Sequence, residues 1–294
     1  MNLELDKPPH WLSFDVEEYF HVEAARIDRR QWDDFPGRVC PPVRRVLELL
    51  AEHQSSATFF VLGALADRER GLLREIVAAG HEVASHSMGH TMITRQTPRE
   101  FRQDLLDARK LLEDVTGRAV LGYRAPTFSI TRSTAWALDV LAEASFAYDS
   151  SVFPVRHDRY GVPDAPRDPH LARGPGGGSI IEIPPLTIRL LGVNWPVGGG
   201  GYLRLLPVWL VGKALGRARR RGQSGMIYLH PWELDPGQPI LPMSRMGRFR
   251  HRVNLHRTEA KLCRLLERFR FRSVASCLDQ LKAAHLPTYD YGGG

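Results

Sequence analysis

An α/β chain organised around parallel strands is predicted, on two observations. Short apolar runs alternate with amphipathic helical patterns over most of the chain, the signature of βαβ units and hence of a parallel sheet or barrel. Several of those runs end on ionisable residues, and barrel active sites collect at the carboxyl ends of the strands. With 294 residues, 43% of them hydrophobic and 25% charged, the chain has ample material for one large domain, and a single barrel fits that length.

Leu12 and Phe14 alternate with more polar neighbours, so the run into Asp15 reads as a short buried strand. Tyr19 to Val39 is a loop with short helical pieces, and Pro41-Pro42 opens a helix through Val43, Val46, Leu47 and Leu50. Ala57 to Leu62 is a second strand. Leu72, Leu73, Ile76 and Val77 mark a helix closed by Gly80, and His81 to His86 is a third strand. Thr97-Pro98-Arg99-Glu100 is a capping box for a helix ending near Gly117. Strands at Val120 to Arg124 and Phe146 to Asp149 flank a helix from Thr131 to Ala144.

Pro154 to Gly178, rich in Pro, Gly, Asp and Arg, predicts a long loop, and Ile180 to Ile183 a strand. Gly198 to Gly201 lacks a following G-K-S/T, so it is a turn before a helix from Leu205 to Arg221, not a phosphate loop. Met226 to His230 is a strand and Pro231 to Arg257 is irregular and basic. A helix from Thr258 to Phe269, a strand around Phe271 to Val274 and a helix from Ser276 follow, with a disordered tail from Tyr289.

Composition excludes several classes. Cys40, Cys263 and Cys277 are an odd number without C-x-x-C spacing, so neither a disulfide framework nor a cysteine zinc site is expected. Met1 to Pro9 lacks the apolar core of a signal peptide and no run is long enough to span a bilayer, so a cytoplasmic chain is expected. A net charge of +7 implies attraction to anionic partners without choosing among acidic glycans, lipid surfaces and nucleic acid.

The chemistry-bearing residues lie at the strand ends. Asp15, Glu17 and Glu18 crowd carboxylates that a cation would neutralise; alone, they could be a solvated turn. His86 and His90, four apart, face one side of a helical turn and could hold one metal ion together with a carboxylate from the Asp15/Glu17 end. Arg124 could clamp a carboxylate in its ionised state. Asp149 and His230 end later strands, and an aspartate beside a histidine would hold the imidazole protonated.

In order, S-F-D-V-E, H-S-M-G-H, R-A-P, D-S-S-V-F and L-H resemble the motifs of NodB-type polysaccharide deacetylases, carbohydrate esterase family 4. That family carries a TFDDG-like strand end, H-S/T-x-x-H, R-x-P, D-x-x-x-W and L-x-H. D-V-E-E-Y-F, Y-D-S-S-V-F-P, G-G-G-Y-L-R-L-L-P and H-P-W-E-L-D-P are similar to the branch of exosortase (PEP-CTERM) exopolysaccharide loci. The resemblance implies one deacetylase domain over 1–294: a distorted (β/α)7 barrel with long loop insertions, its core at about 11–232 and a C-terminal extension at about 233–286. It implies metal-dependent removal of acetyl groups from N-acetylated sugars. Asp15 would be the general base, oriented by Arg124, and His230 the general acid, tuned by Asp149. His86 and His90 would be metal ligands. Pro126, Phe153 and Leu229 would border the acetyl pocket.

Two departures stand out. Val16 occupies the place of the family's second aspartate, so Glu17 is assigned as third ligand, with Glu18 pointing away; Phe153 replaces the motif tryptophan. Zinc is the first expectation for the ion, with cobalt, nickel or manganese as other candidates. Ring-opening hydrolysis of cyclic imides or allantoin, motivated by Val16, and a degenerate glycan-binding site are the competing readings. Expected partners are an N-acetylated glycan and not nucleic acid. Peripheral contact with the inner membrane or with exopolysaccharide assembly machinery is suggested by Trp209, Leu210 and Leu215 beside Arg217, Arg219, Arg220 and Arg221. The basic run Arg245 to Arg257 is an alternative groove for an acidic polymer.

Overall fold

Residues 8–293 are described by the computed structural model; most of the N-terminal stretch read for a signal peptide (residues 1–7) and the last glycine lie outside them. Strand β1 (His10–Val16) is buried throughout, as expected of a parallel strand covered on both faces. After helix α1 (Cys40–Glu52) come β2 (Thr58–Val61), α2 (Gly63–Arg68), α3 (Arg70–Ala78), β3 (Glu82–Ser85), α4 (Pro98–Thr116), β4 (Gly122–Tyr123), α5 (Trp136–Glu143) and β5 (Tyr148–Asp149). The α4 capping box forms as read: Thr97 and Glu100 bond reciprocally, and Gly117 ends the helix in the left-handed region.

Next come β6 (His170–Arg173), β7 (Ser179–Glu182), the hairpin β8 (Thr187–Leu190) and β9 (Val193–Pro196), α6 (Gly200–Leu205), α7 (Val208–Arg220) and β10 (Met226–Leu229). The chain finishes with α8 (Arg245–Arg252), α9 (Thr258–Leu266), β11 (Phe271–Arg272), α10 (Leu278–Ala283) and β12 (Thr288–Asp290). Parallel pairing runs β10-β1-β2-β3-β4-β5-β7. Pro185 then bridges Met226, and Gly199 bridges Tyr228, returning the chain to β10. The seven strands therefore form a distorted barrel whose last seam is two bridges rather than a ladder.

Strand alternation divides the core into two layers. Leu12, Phe14, Val16, Phe59, Val61, Ile227 and Leu229 join the apolar layer under the helices. Trp11, Phe60, Ala84, Tyr148, Ile181 and Met226 fill the barrel interior, where Val274 and Leu278 of the C-terminal segment join them. A Cβ at Gly122 would lie 2.0 Å from Tyr148 Cζ, so only glycine lets that ring lie across β4.

Several expectations fail outside the barrel. The predicted loop 154–178 contains β6, which pairs antiparallel with β7. The predicted helix 205–221 starts only at Val208, as α7; Leu205 ends the separate helix α6, which Pro207, lacking an N–H, does not continue. The hairpin β8–β9 was not anticipated, and the stretch 231–257 includes α8. The tail read as disordered instead forms β12 on β6, with Tyr291 buried and its hydroxyl 2.8 Å from His170 Nε2.

Candidate active site

Asp15, Glu17, His86, His90, Arg124 and His230 lie at the carboxyl ends of β1, β3, β4 and β10. Along β1, Ser13 and Asp15 point into the barrel and Val16 points out to the helical layer, so Glu17, two residues beyond Asp15, returns to the inner side. That alternation explains why a D-x-E spacing brings a second carboxylate to the inner side. Glu17 is buried, and its Oε1 accepts from Trp232 Nε1 at 3.2 Å. Its Oε2 lies 2.7 Å from His90 Nε2 yet has no aligned hydrogen-bond donor. Burial pushes the Glu17 carboxyl up, but its interactions with His90, His230 and His86 prevail and hold it below the ordinary carboxylate range.

His86 and His90 do not sit on a helical turn as expected. Ser87 and His90 have φ of 69° and 56°, so the segment is a loop. It is pinned where Gly63 and Ala64 N–H donate to Ser87 O and Met88 O and Met88 N–H donates to Asp104 Oδ1 at 3.0 Å. His86 Nδ1–H donates to Arg124 O at 2.8 Å, which leaves Nε2 with its lone pair free. Burial lowers the His86 pKa to about 4, so the ring is neutral. Ligand atoms of Glu17, His86 and His90 lie within 4.8 Å of one another. A carboxylate oxygen without a donor and two imidazoles, that of His86 neutral, form a donor set that fits zinc and similar divalent ions. Glu18 faces elsewhere: its carboxylate accepts from the N–H of Arg38 and Val39, at the start of α1.

Arg124, fully buried, donates to Asp15 Oδ1 at 2.6 Å, Ser13 Oγ at 2.8 Å and Ser150 Oγ at 2.8 Å, and its guanidinium lies over Phe60. The other Asp15 oxygen is 3.9 Å from His230 Nε2, which is itself 3.7 Å from Glu17 Oε1.

His230 is not served by Asp149. Its Nδ1–H donates to Glu233 Oε1 at 2.9 Å, and the other Glu233 oxygen accepts from Arg204 Nε at 2.6 Å. Arg204 is anchored on His251 O and Val253 O, and the His230 ring stacks on Trp232 at 5.0 Å. Burial opposes the imidazolium, but the Glu233 hydrogen bond and the Glu17, Glu233 and Asp15 charges outweigh it, and the pKa rises to about 9. Asp149 faces β7 instead, where its register partner is Glu182, and it accepts from Ser151 Oγ at 2.5 Å. Burial raises the Asp149 pKa to about 6 and that of Glu182 well above its usual value, as expected of two carboxyls that cannot both ionise.

Leu229 also needs correcting. Alternation turns it into the helical layer, and the inward residue two before His230 is Tyr228, the position that the L-x-H spacing designates. Tyr228 forms an apolar wall with Phe128 and Phe153, ring centroids 4.9 and 5.2 Å from Phe128. Pro126 starts the short turn, with Thr127 and Phe128 at positive φ, that turns the Phe128 ring into this wall. Glu233, Arg204, Trp232 and Tyr228 were missed. H-P-W-E reads as a capping box and could have exposed Glu233.

The comparisons fit this geometry. Residues 31–146 match the family model "Polysaccharide deacetylase", and residues 150–279 match a domain of unknown function (DUF3473). The chain is 33% identical to a chitooligosaccharide deacetylase of Bradyrhizobium over 44% of this chain and 56% of that protein. It is 34% identical to the peptidoglycan-N-acetylglucosamine deacetylase PgdA of Listeria monocytogenes over 39% of this chain and 25% of that protein. The matched stretch thus spans about half the length of the former and a quarter of the latter. A crystal structure of a candidate polysaccharide deacetylase from Mycobacterium smegmatis superposes with a TM-score of 0.62 at 22% identity, covering 96% of this chain and 94% of that one. Fold and matches together define the class: an α/β barrel with a polysaccharide deacetylase domain. The matched stretch, residues 31–146, is a polysaccharide deacetylase domain of the NodB type (carbohydrate esterase family 4), and it is followed by the DUF3473 match. Strand β5 lies in the gap between the two matches and pairs with β4 on one side and β7 on the other, so both matches contribute strands to one barrel.

Proposed function

We propose that the chain is a metal-dependent N-deacetylase acting on N-acetylated sugar units of a bacterial exopolysaccharide or its precursor. The observation that carries this reading is the convergence of Asp15, His230 and the Glu17/His86/His90 group at one barrel mouth. Glu17, His86 and His90 would hold the ion, which when bound polarises an amide carbonyl and acidifies water. Asp15, paired with and aimed by Arg124, takes a proton from the attacking water as the water oxygen bonds to the acetyl carbon. His230, held by Glu233, gives its proton to the sugar nitrogen as the C–N bond breaks, releasing acetate and a free amine. Phe128, Phe153 and Tyr228 exclude water from the acetyl methyl side.

The similarity to chitooligosaccharide and peptidoglycan-N-acetylglucosamine deacetylases supports an N-acetylglucosamine-type substrate, and the motif resemblance supports the exopolysaccharide setting. The test is acetate release from N-acetylglucosamine oligomers by protein supplied with zinc or cobalt, run beside hydantoin and allantoin opening. Ring opening without acetate release would move the function to the amidohydrolases. Neither activity, with no metal uptake, would leave glycan binding.

A further inference from the structure

The hairpin β8–β9 places its apolar residues on the wrong side for a soluble ribbon. Its register pairs Ile188 with Trp195 and Leu190 with Val193, and these four share one face. The other face carries Asn194, buried and donating to Pro154 O and Pro163 O, so the body of the protein holds the polar side. Leu190, Val193 and Trp195 are therefore half exposed, and Leu191 at the turn is 93% exposed. Leu191 and Gly192 have φ of 51° and 78°, the two positive values of a tight hairpin turn, which projects Leu191 as the tip.

The base of the hairpin abuts α7, because Leu186 and Leu215 both close on Gly225. The helix face toward solvent is not the Leu210/Leu215 side expected from sequence, since Leu215 is fully buried. It is the stripe Trp209, Lys213, Arg217, Arg220, at spacings of four, four and three. From Val208 to Arg220 the helix contains no acidic residue. Arg189 on β8, Arg217 and Arg220 have no carboxylate within ion-pair distance among the described residues. An exposed aliphatic and tryptophan tip flanked by uncompensated arginines matches an anionic bilayer interface, where the tip enters the acyl boundary and the cations meet phosphates.

We infer that the β8–β9 hairpin and the outer stripe of α7 form one docking surface for an anionic lipid bilayer. The inference stands apart from the deacetylase reading, since neither element contributes to the barrel mouth. The test is co-sedimentation with phosphatidylglycerol-containing vesicles and with pure phosphatidylcholine vesicles. Wild type should bind the anionic vesicles and release in high salt. Leu191→Asp should weaken binding about tenfold or more, and Arg217→Ser and Arg220→Ser about fivefold each, on the scale of one cation at an anionic surface. These positions are exposed, so unchanged thermal melts and unchanged acetate release are expected, and separate loss of docking from loss of fold. Absence of wild-type binding, equal binding to both vesicle types, or binding indifferent to Leu191→Asp would overturn the inference. So would a dimer in sedimentation velocity that Leu191→Asp dissociates, which would assign the face to a second copy.

Discussion

The Arg124–Asp15 and Arg204–Glu233 pairs are alike in distance, 2.6 Å each, and in burial, with both arginines nearly inaccessible. They differ in what the second carboxylate oxygen does. In Asp15 it faces the barrel mouth, 3.9 Å from His230 and aligned with no donor, whereas in Glu233 both oxygens are taken, one by Arg204 and one by the backbone and ring of His230. The same ion pair therefore leaves an open acceptor in one half of the chain and makes a strut in the other. A free oxygen makes the difference, not the arginine.

This contrast can be broken in stages. Asp15→Asn and His230→Ala should each lower acetate release by about 10²–10⁴-fold while bound metal, read by elemental analysis, stays in place. Glu233→Gln should lower kcat by about 10–100-fold with KM little changed, and Asp149→Asn should not; the reverse would restore Asp149 as the tuning group. Arg204→Met leaves the buried Glu233 charge without its guanidinium partner, an expected loss of about 3–5 kcal/mol in urea unfolding, and adding Glu233→Gln should recover most of it. Glu17→Gln should weaken metal binding. Glu18→Gln should instead cost about 1 kcal/mol of stability, as loss of a helix-start acceptor, with metal uptake unchanged.

The smallest expected effect separates the Asp149–Glu182 pair from both ion pairs. Burial raises the Asp149 pKa to about 6, so its contribution to stability is complete below its unfolded value and disappears as pH rises through 6. Asp149→Asn removes that titration. Between about pH 4 and about pH 7 the variant should lose less stability than wild type, measured by urea midpoints at each pH.

Much of the barrel was legible because strands and helices carry their own periodicity, and Asp15, Arg124, His86, His90 and His230 were readable as polar strand ends. The (β/α)7 ring itself came from the family resemblance. What escaped depends on contacts between distant segments. Arg204 meets Glu233 across 29 residues, and nothing local marks either as the other's partner. Leu229 was misplaced by one position, which on a strand is the difference between the two faces. The hairpin was overlooked because its outward apolar face gives an alternation that reads like core. The Gly-rich tail reads as disordered, yet Tyr289 and Tyr291 pack around His170.

Glu82 carries a consequence for synthesis. Its carboxylate sits inside the barrel, accepting from Thr58 Oγ1 at 2.7 Å, from Tyr148 OH at 2.8 Å and from Ala275 N–H at 2.8 Å. Burial already pushes its pKa up with all three donors in place. Ala275 leaves the ribosome 193 residues after Glu82, by which time every barrel strand has been made. A nascent chain that closes its ring early therefore holds a carboxyl short of one donor. Completion of the interior waits for almost the last segment translated.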